Sequence, residues 1–152
     1  MKAVIGYMSI EEQVDTDFVR ARHRALVARV AAFLRGKCGD MLSFDAVRRE
    51  TRAVGGLRRG RREVEVSRIV GSVGRYRHFD RNFMPKKASL RERWERVDRA
   101  FVRGEELPPV SLYKIGDRYF VEDGNHRVSV ARYQGAEMID AEVTELLTPA
   151  GR

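Results

Sequence analysis

The stretch FVEDGNHRVSVARYQG, residues 120–135, passes from apolar residues through a glycine-centred turn into a helical pattern. A strand, a glycine turn and a helix start leave backbone N–H groups pointing outward, and the helix dipole adds positive potential at the same spot. An anion suits that place, above all a phosphate. Gly124 lets the backbone approach a ligand without a Cβ. Asn125 offers a cap or a ligand hydrogen bond. His126 and Arg127 add donors, the arginine as a bidentate fork. The plainer reading of the same residues is a capped helix with Arg127 in a structural ion pair. Glu122 and Asp123 flank the turn, and strand alternation points only one of them toward it. Asp123 is the favoured one, as a magnesium ligand or a base beside phosphates, or simply as the holder of the glycine turn.

Outward from the turn, residues 110–115 alternate as a strand, and Gly116-Asp117 makes a hairpin whose second strand returns to Glu122. The prolines at 108 and 109 keep the lead-in out of any helix interior. Residues 90–103 are amphipathic, with Leu90, Trp94, Val97, Ala100 and Phe101 on one face, and Trp94 is expected as a core anchor. Residues 138–144 read as the last strand. Toward the N-terminus, Phe18, Leu26, Val30, Phe33 and Leu34 recur near helical spacing behind the N-cap candidates Asp15 and Asp17, which predicts a helix over residues 17–35. Ser43 caps a short second helix. Residues 48–62, RRETRAVGGLRRGRR, hold seven arginines against one glutamate. Their glycines read as turn-like. The segment is then a solvated loop, or one in which Arg58, Arg59, Arg61 and Arg62 track a nucleic-acid backbone. Residues 71–87 are expected mostly as loop, where Arg75, Arg77 and His78 either cover a ligand from the other side or lie on a plain surface. The fold class is α+β: a helical basic N-terminal segment, residues 1–62, and a small mixed β-sheet unit with packed helices, residues 63–147.

The chain has 152 residues, 43% of them hydrophobic, enough for one domain with a real core. Its formal net charge of +8 favours anionic partners: a nucleotide, nucleic acid or an acidic protein. No apolar run approaches the roughly 20 residues of a membrane span, so no membrane partner is expected. A single cysteine, Cys38, excludes an intramolecular disulfide framework, and with no secretory h-region the expected location is cytoplasmic. His23, His78 and His126 have no metal-ligand spacing with each other or with the cysteine. No Walker A, G-x-G-x-x-G or G-x-S-x-G motif is present.

With the segments around it, the turn Asp123-Gly124-Asn125-His126-Arg127 resembles the ParB/sulfiredoxin-like superfamily. The shared layout is a helix, a proline-containing lead-in to a strand, a hairpin, the turn D-G-x-H-R opening a helix, and a final strand. More narrowly, the chain resembles stand-alone ParB-like nuclease or ParB N-terminal-domain proteins. The resemblance covers roughly residues 63–145. It implies that Gly124, Asn125, His126 and Arg127 cradle nucleotide phosphates, ATP or CTP, with Mg2+. It also implies nucleotide hydrolysis or phosphoryl transfer, and in some members nuclease activity. Sulfiredoxins carry a cysteine where Asn125 stands, so sulfinic-acid reduction is not expected. The helix-turn-helix module of partitioning ParB proteins does not follow the turn, so centromere reading is not expected either. The rival reading is a DNA-binding protein or nuclease that uses the arginine segment. A third is a non-catalytic switch, in which nucleotide binding orders that segment or a homodimer interface.

Overall fold

The computed structural model describes residues 7–74 and 77–149. Helix α1, Ile10–Leu34, starts earlier than the spacing of its large apolar residues predicts. Its start is a capping box: the Ser9 side chain accepts from the Glu12 N–H, and the Glu12 carboxylate accepts from the Ser9 N–H. Asp15 and Asp17, expected as caps, lie inside the helix. Val14, Phe18, Ala21 and Ala25 form its buried stripe. Strand β1, Leu42–Ser43, leads into α2, Phe44–Thr51, which Ser43 caps as expected.

The arginine-rich segment finishes α2 and from Val54 on is a strand rather than a turn-like loop. β2, Val54–Glu65, runs antiparallel to β6, Met138–Leu147. Its glycines are absorbed by two register shifts, and Gly60 takes φ +76, a conformation that a bulge needs and that glycine adopts without strain. Its arginines meet acids on the partner strand. Arg59 pairs with Glu145 and Arg61 with Asp140, each at 2.9 Å. β2 is an edge strand, and charge along an edge discourages pairing with other chains. The strand runs without a break across positions 62 and 63.

The six-stranded mixed sheet has the order β1-β3-β5-β4-β6-β2, with β3 at Ile69–Ser72, β4 at Val110–Ile115 and β5 at Arg118–Asp123. β4 and β5 form the expected antiparallel hairpin, while β1–β3, β3–β5 and β4–β6 pair in parallel. Alternation along β5 sends Tyr119 and Val121 to one face and Phe120 to the other. The first face carries the larger core. There, α1, α3 (Arg91–Val102) and α4 (Asn125–Tyr133) contribute Phe18, Trp94, Val128 and Val130. On the second face, α2 packs Phe44 and Val47 on Ile115, Phe120 and Leu146. The architecture is α+β, with helices on both faces of the mixed sheet. Trp94 is fully buried, and its indole N–H donates to Ser129 Oγ at 2.9 Å, as a core anchor should. No helix among the described residues is long and apolar enough to cross a membrane.

One polar junction ties the three helices on the larger core. Asp17 of α1 and Asp98 of α3 are both buried. The Gln134 amide donates to Asp17 at 3.2 Å and to Asp98 at 2.8 Å, and the Tyr133 hydroxyl donates to Asp17 at 3.1 Å. Burial pushes the Asp98 carboxyl up to about 7, with Asp17 acting in the same direction against the Gln134 bond. Asp98 therefore holds its proton more tightly in the folded chain than in the unfolded one. Its contribution is complete below the ordinary carboxylate range and is lost as pH rises through about 7. The urea midpoint of the native chain should fall between about pH 5 and about pH 8, and Asp98→Asn should flatten that fall. Parallel pH profiles of the two proteins would sink this assignment.

Candidate functional site: the turn between β5 and α4

β5 ends at Asp123, and the chain turns into α4 through Gly124 at φ +109. A Cβ at position 124 would lie 2.6 Å from Val110 Cγ1, so glycine is required by contact as well as by backbone conformation. The first helical hydrogen bond runs from the Val128 N–H to the Gly124 carbonyl at 3.0 Å. The N–H groups of Asn125, His126 and Arg127 precede it and have no intrahelical acceptor. Gly124 gives α4 no side-chain cap, as Leu90 gives α3 none, whereas serines cap α1 and α2. The positive end of the α4 dipole lies at this turn.

The five residues of the turn occupy different environments. Asn125 is 8% exposed, and its Oδ1 is shielded without a hydrogen-bond partner among the described residues. The His126 ring stands edge-on to Phe79, centroids 5.2 Å apart, with both ring nitrogens shielded from solvent. Arg127 Nη1 donates to the Pro108 carbonyl at 2.7 Å and the Pro109 carbonyl at 2.9 Å, and Nη2 donates to Asp123 Oδ2 at 3.1 Å. Its guanidinium thus fastens the turn to the lead-in of β4, and the structural ion pair weighed from the sequence is present. The Asp123 side chain is 79% exposed. Glu122 accepts from the Tyr113 hydroxyl at 3.2 Å on the other face of β5. No group of three or more His, Cys, Asp or Glu with metal-site geometry occurs among the described residues.

The remaining sequence candidates are dispersed. Arg75 lies outside the described residues. Arg77 is exposed and lines a groove between α1 and residues 77–87. Arg58, Arg59, Arg61 and Arg62 sit on β2, separated from β5 by β4 and β6. The ion pairs of Arg59 and Arg61, and the Arg62 donation to the Arg59 carbonyl at 3.0 Å, occupy part of that row.

Two features near the turn escape sequence reading. Phe79 is the wall behind His126. Asp80 shapes the loop that carries it, with Oδ1 accepting from the N–H groups of Asn82 at 2.8 Å and Met84 at 2.9 Å while burial raises its carboxyl above the usual range. The bond from Asp80 to the N–H two residues on is an Asx-turn, and the Asp-Arg-Asn sequence is its one local signal.

No protein-family model matches this chain, and no curated protein matches it. Among solved structures, sulfiredoxin from Arabidopsis thaliana is similar over 55% of this chain and 82% of that one, with 16% sequence identity and a TM-score of 0.40.

Proposed function

We propose that the turn between β5 and α4 binds a phosphate of a nucleotide, ATP or CTP, with Mg2+ carried on the phosphates. The observation that carries this reading is the start of α4 behind a positive-φ glycine, with the Asn125 amide oxygen buried beside it and without a partner among the described residues. Backbone N–H groups of Asn125 to Arg127 donate to the phosphate oxygens. Asn125 Oδ1 is an acceptor, and once its side chain turns out of the shielded position it takes a donor from the ligand, either a ribose hydroxyl or a magnesium-bound water. Asp123, exposed beside the turn, supplies the single carboxylate that a phosphate-borne magnesium needs. Bound magnesium would offset phosphate charge in hydrolysis or phosphoryl transfer. His126 stands in the same first turn of α4. Arg127 acts as a positioning residue, because its donors hold the proline carbonyls and Asp123.

Calorimetric titration with ATP and with CTP, each with magnesium, tests the reading. The native chain should bind one of them, and Asn125→Ala should weaken binding about tenfold, roughly 1.4 kcal/mol. Failure of both nucleotides to bind, or unchanged affinity in a folded Asn125→Ala protein, overturns it.

Arg127 gives a separate prediction. Arg127→Ala removes charge-assisted bonds to two carbonyls, one exposed and one part-buried, and should cost about 1–3 kcal/mol of stability. Arg127→Lys should cost a similar amount, because an ammonium cannot reproduce the fork, and it should not restore nucleotide affinity. Restored affinity in the lysine variant would instead give Arg127 a direct charge contact with the ligand.

A further inference from the structure

Helix α1 outruns the surface it packs on. Its buried stripe ends at Ala25, yet large apolar residues continue at helical spacing through Leu26, Val27, Val30, Phe33 and Leu34, each at least 51% exposed. Soluble chains seldom leave such a stripe open without a use for it. Leu26 and Phe33 form one wall of a groove of about 860 Å³, whose other side is the segment around residues 37–40 and the loop that holds Lys86 and Lys87. They lie two helical turns apart, about 10 Å along the axis.

The polar lining is mostly cationic. Arg22, Arg29, Lys37, Arg77, Lys86 and Lys87 face two carboxylates, Asp40 and Asp80. Lys86 neutralises Asp40 at 2.8 Å, and Asp80 accepts from backbone N–H groups of its own loop. Arg29, Lys37 and Lys87 have no ion pair among the described residues. The groove thus pairs an apolar wall with uncompensated positive charge.

We infer that this groove docks an acidic amphipathic peptide segment of a partner protein, a role separate from the turn between β5 and α4. The apolar wall takes two anchors one heptad apart, and the cations take the acidic residues between and beside them. Three other occupants fit less well. A bilayer is flat and does not enter a groove. A single nucleic-acid strand stacks its bases on several aromatic rings, and Phe33 supplies one. A second copy seated by the same face brings Arg29, Lys37 and Lys87 against themselves.

The test uses fluorescence anisotropy of a labelled peptide of about 16 residues, leucine at i, i+4 and i+7 and glutamate elsewhere. The native chain should bind it, more weakly as salt rises. Leu26→Glu, Phe33→Glu and the double change Lys37→Glu with Lys87→Glu should each weaken binding by about tenfold or more, with circular dichroism unchanged. A version with lysine for glutamate should not bind. As a second measurement, a nitroxide on the exposed Cys38, between the groove residues Lys37 and Gly39 in sequence, should lose mobility when the acidic peptide is added. No binding, or equal binding by the variants, overturns the proposal. Tighter binding of an oligothymidylate or of phosphatidylglycerol vesicles through the same residues would assign the groove to nucleic acid or a bilayer. A concentration-dependent dimer in light scattering that Phe33→Glu abolishes would assign it to a second copy.

Discussion

The contact of Gly124 with Val110 decides how α4 leaves the sheet. With no Cβ at position 124, β5 turns directly over the start of β4, and Arg127 one turn later ties the new helix back to the Pro108 and Pro109 carbonyls. The direction of α4 follows from those two constraints. Along it, Val128 and Val130 enter the larger core, Ser129 accepts from Trp94, and Tyr133 and Gln134 reach the buried aspartates of α1 and α3. A helix of nine residues contributes little stability of its own. Here it is held at its start by the turn and at its end by the carboxylate junction, and the two other helices of that layer are aligned through it.

Arg132 extends the same logic to the opposite side of α4. One of its terminal nitrogens donates to the Val66 carbonyl at 2.8 Å and the Ile69 carbonyl at 3.0 Å, and the guanidinium lies 5.6 Å from the centre of the Phe83 ring. Burial lowers its pKa, and nearby Asp80 opposes that shift. A half-buried arginine is tolerated when carbonyls and an aromatic face replace part of its water. Those carbonyls belong to the short connection between β2 and β3, so α4 also fixes how the edge strand joins the rest of the sheet.

The hairpin, α4 and the role of Trp94 were legible because each rests on a local pattern: alternation around Gly116, a glycine before a helical run, an apolar stripe. The start of α1 was also written locally, in Ser9 and Glu12. It is easily passed over, because the polar residues between Glu11 and Asp17 dilute the apolar period and Val14 alone marks the buried side. β2 was not legible. Its strand character depends on acids of β6, far along the chain, and its glycines read as turns until a partner strand shows them to be bulges. The same limit applies at the site. The residues of the turn can be named from sequence, but the engagement of Arg127 with two proline carbonyls is a tertiary fact, as is the placement of Phe79 behind His126.

The division of labour inside the turn follows from which polar groups are already satisfied. Arg127, the strongest anion binder by chemistry, is committed to the fold, and it draws Asp123 toward itself across the mouth of the turn. Asn125 is the reverse case: a buried amide whose oxygen has no partner among the described residues, a condition that costs about 1–3 kcal/mol in the free protein. Packing from Val110 and the Arg127 clamp over-determine the backbone, so that cost does not reshape the turn. A ligand that brings a donor to Asn125 and negative charge to the start of α4 would recover both the unmade hydrogen bond and the unused dipole. Because the fold already holds the backbone of the turn in place, binding would require the Asn125 side chain to turn outward and little other ordering.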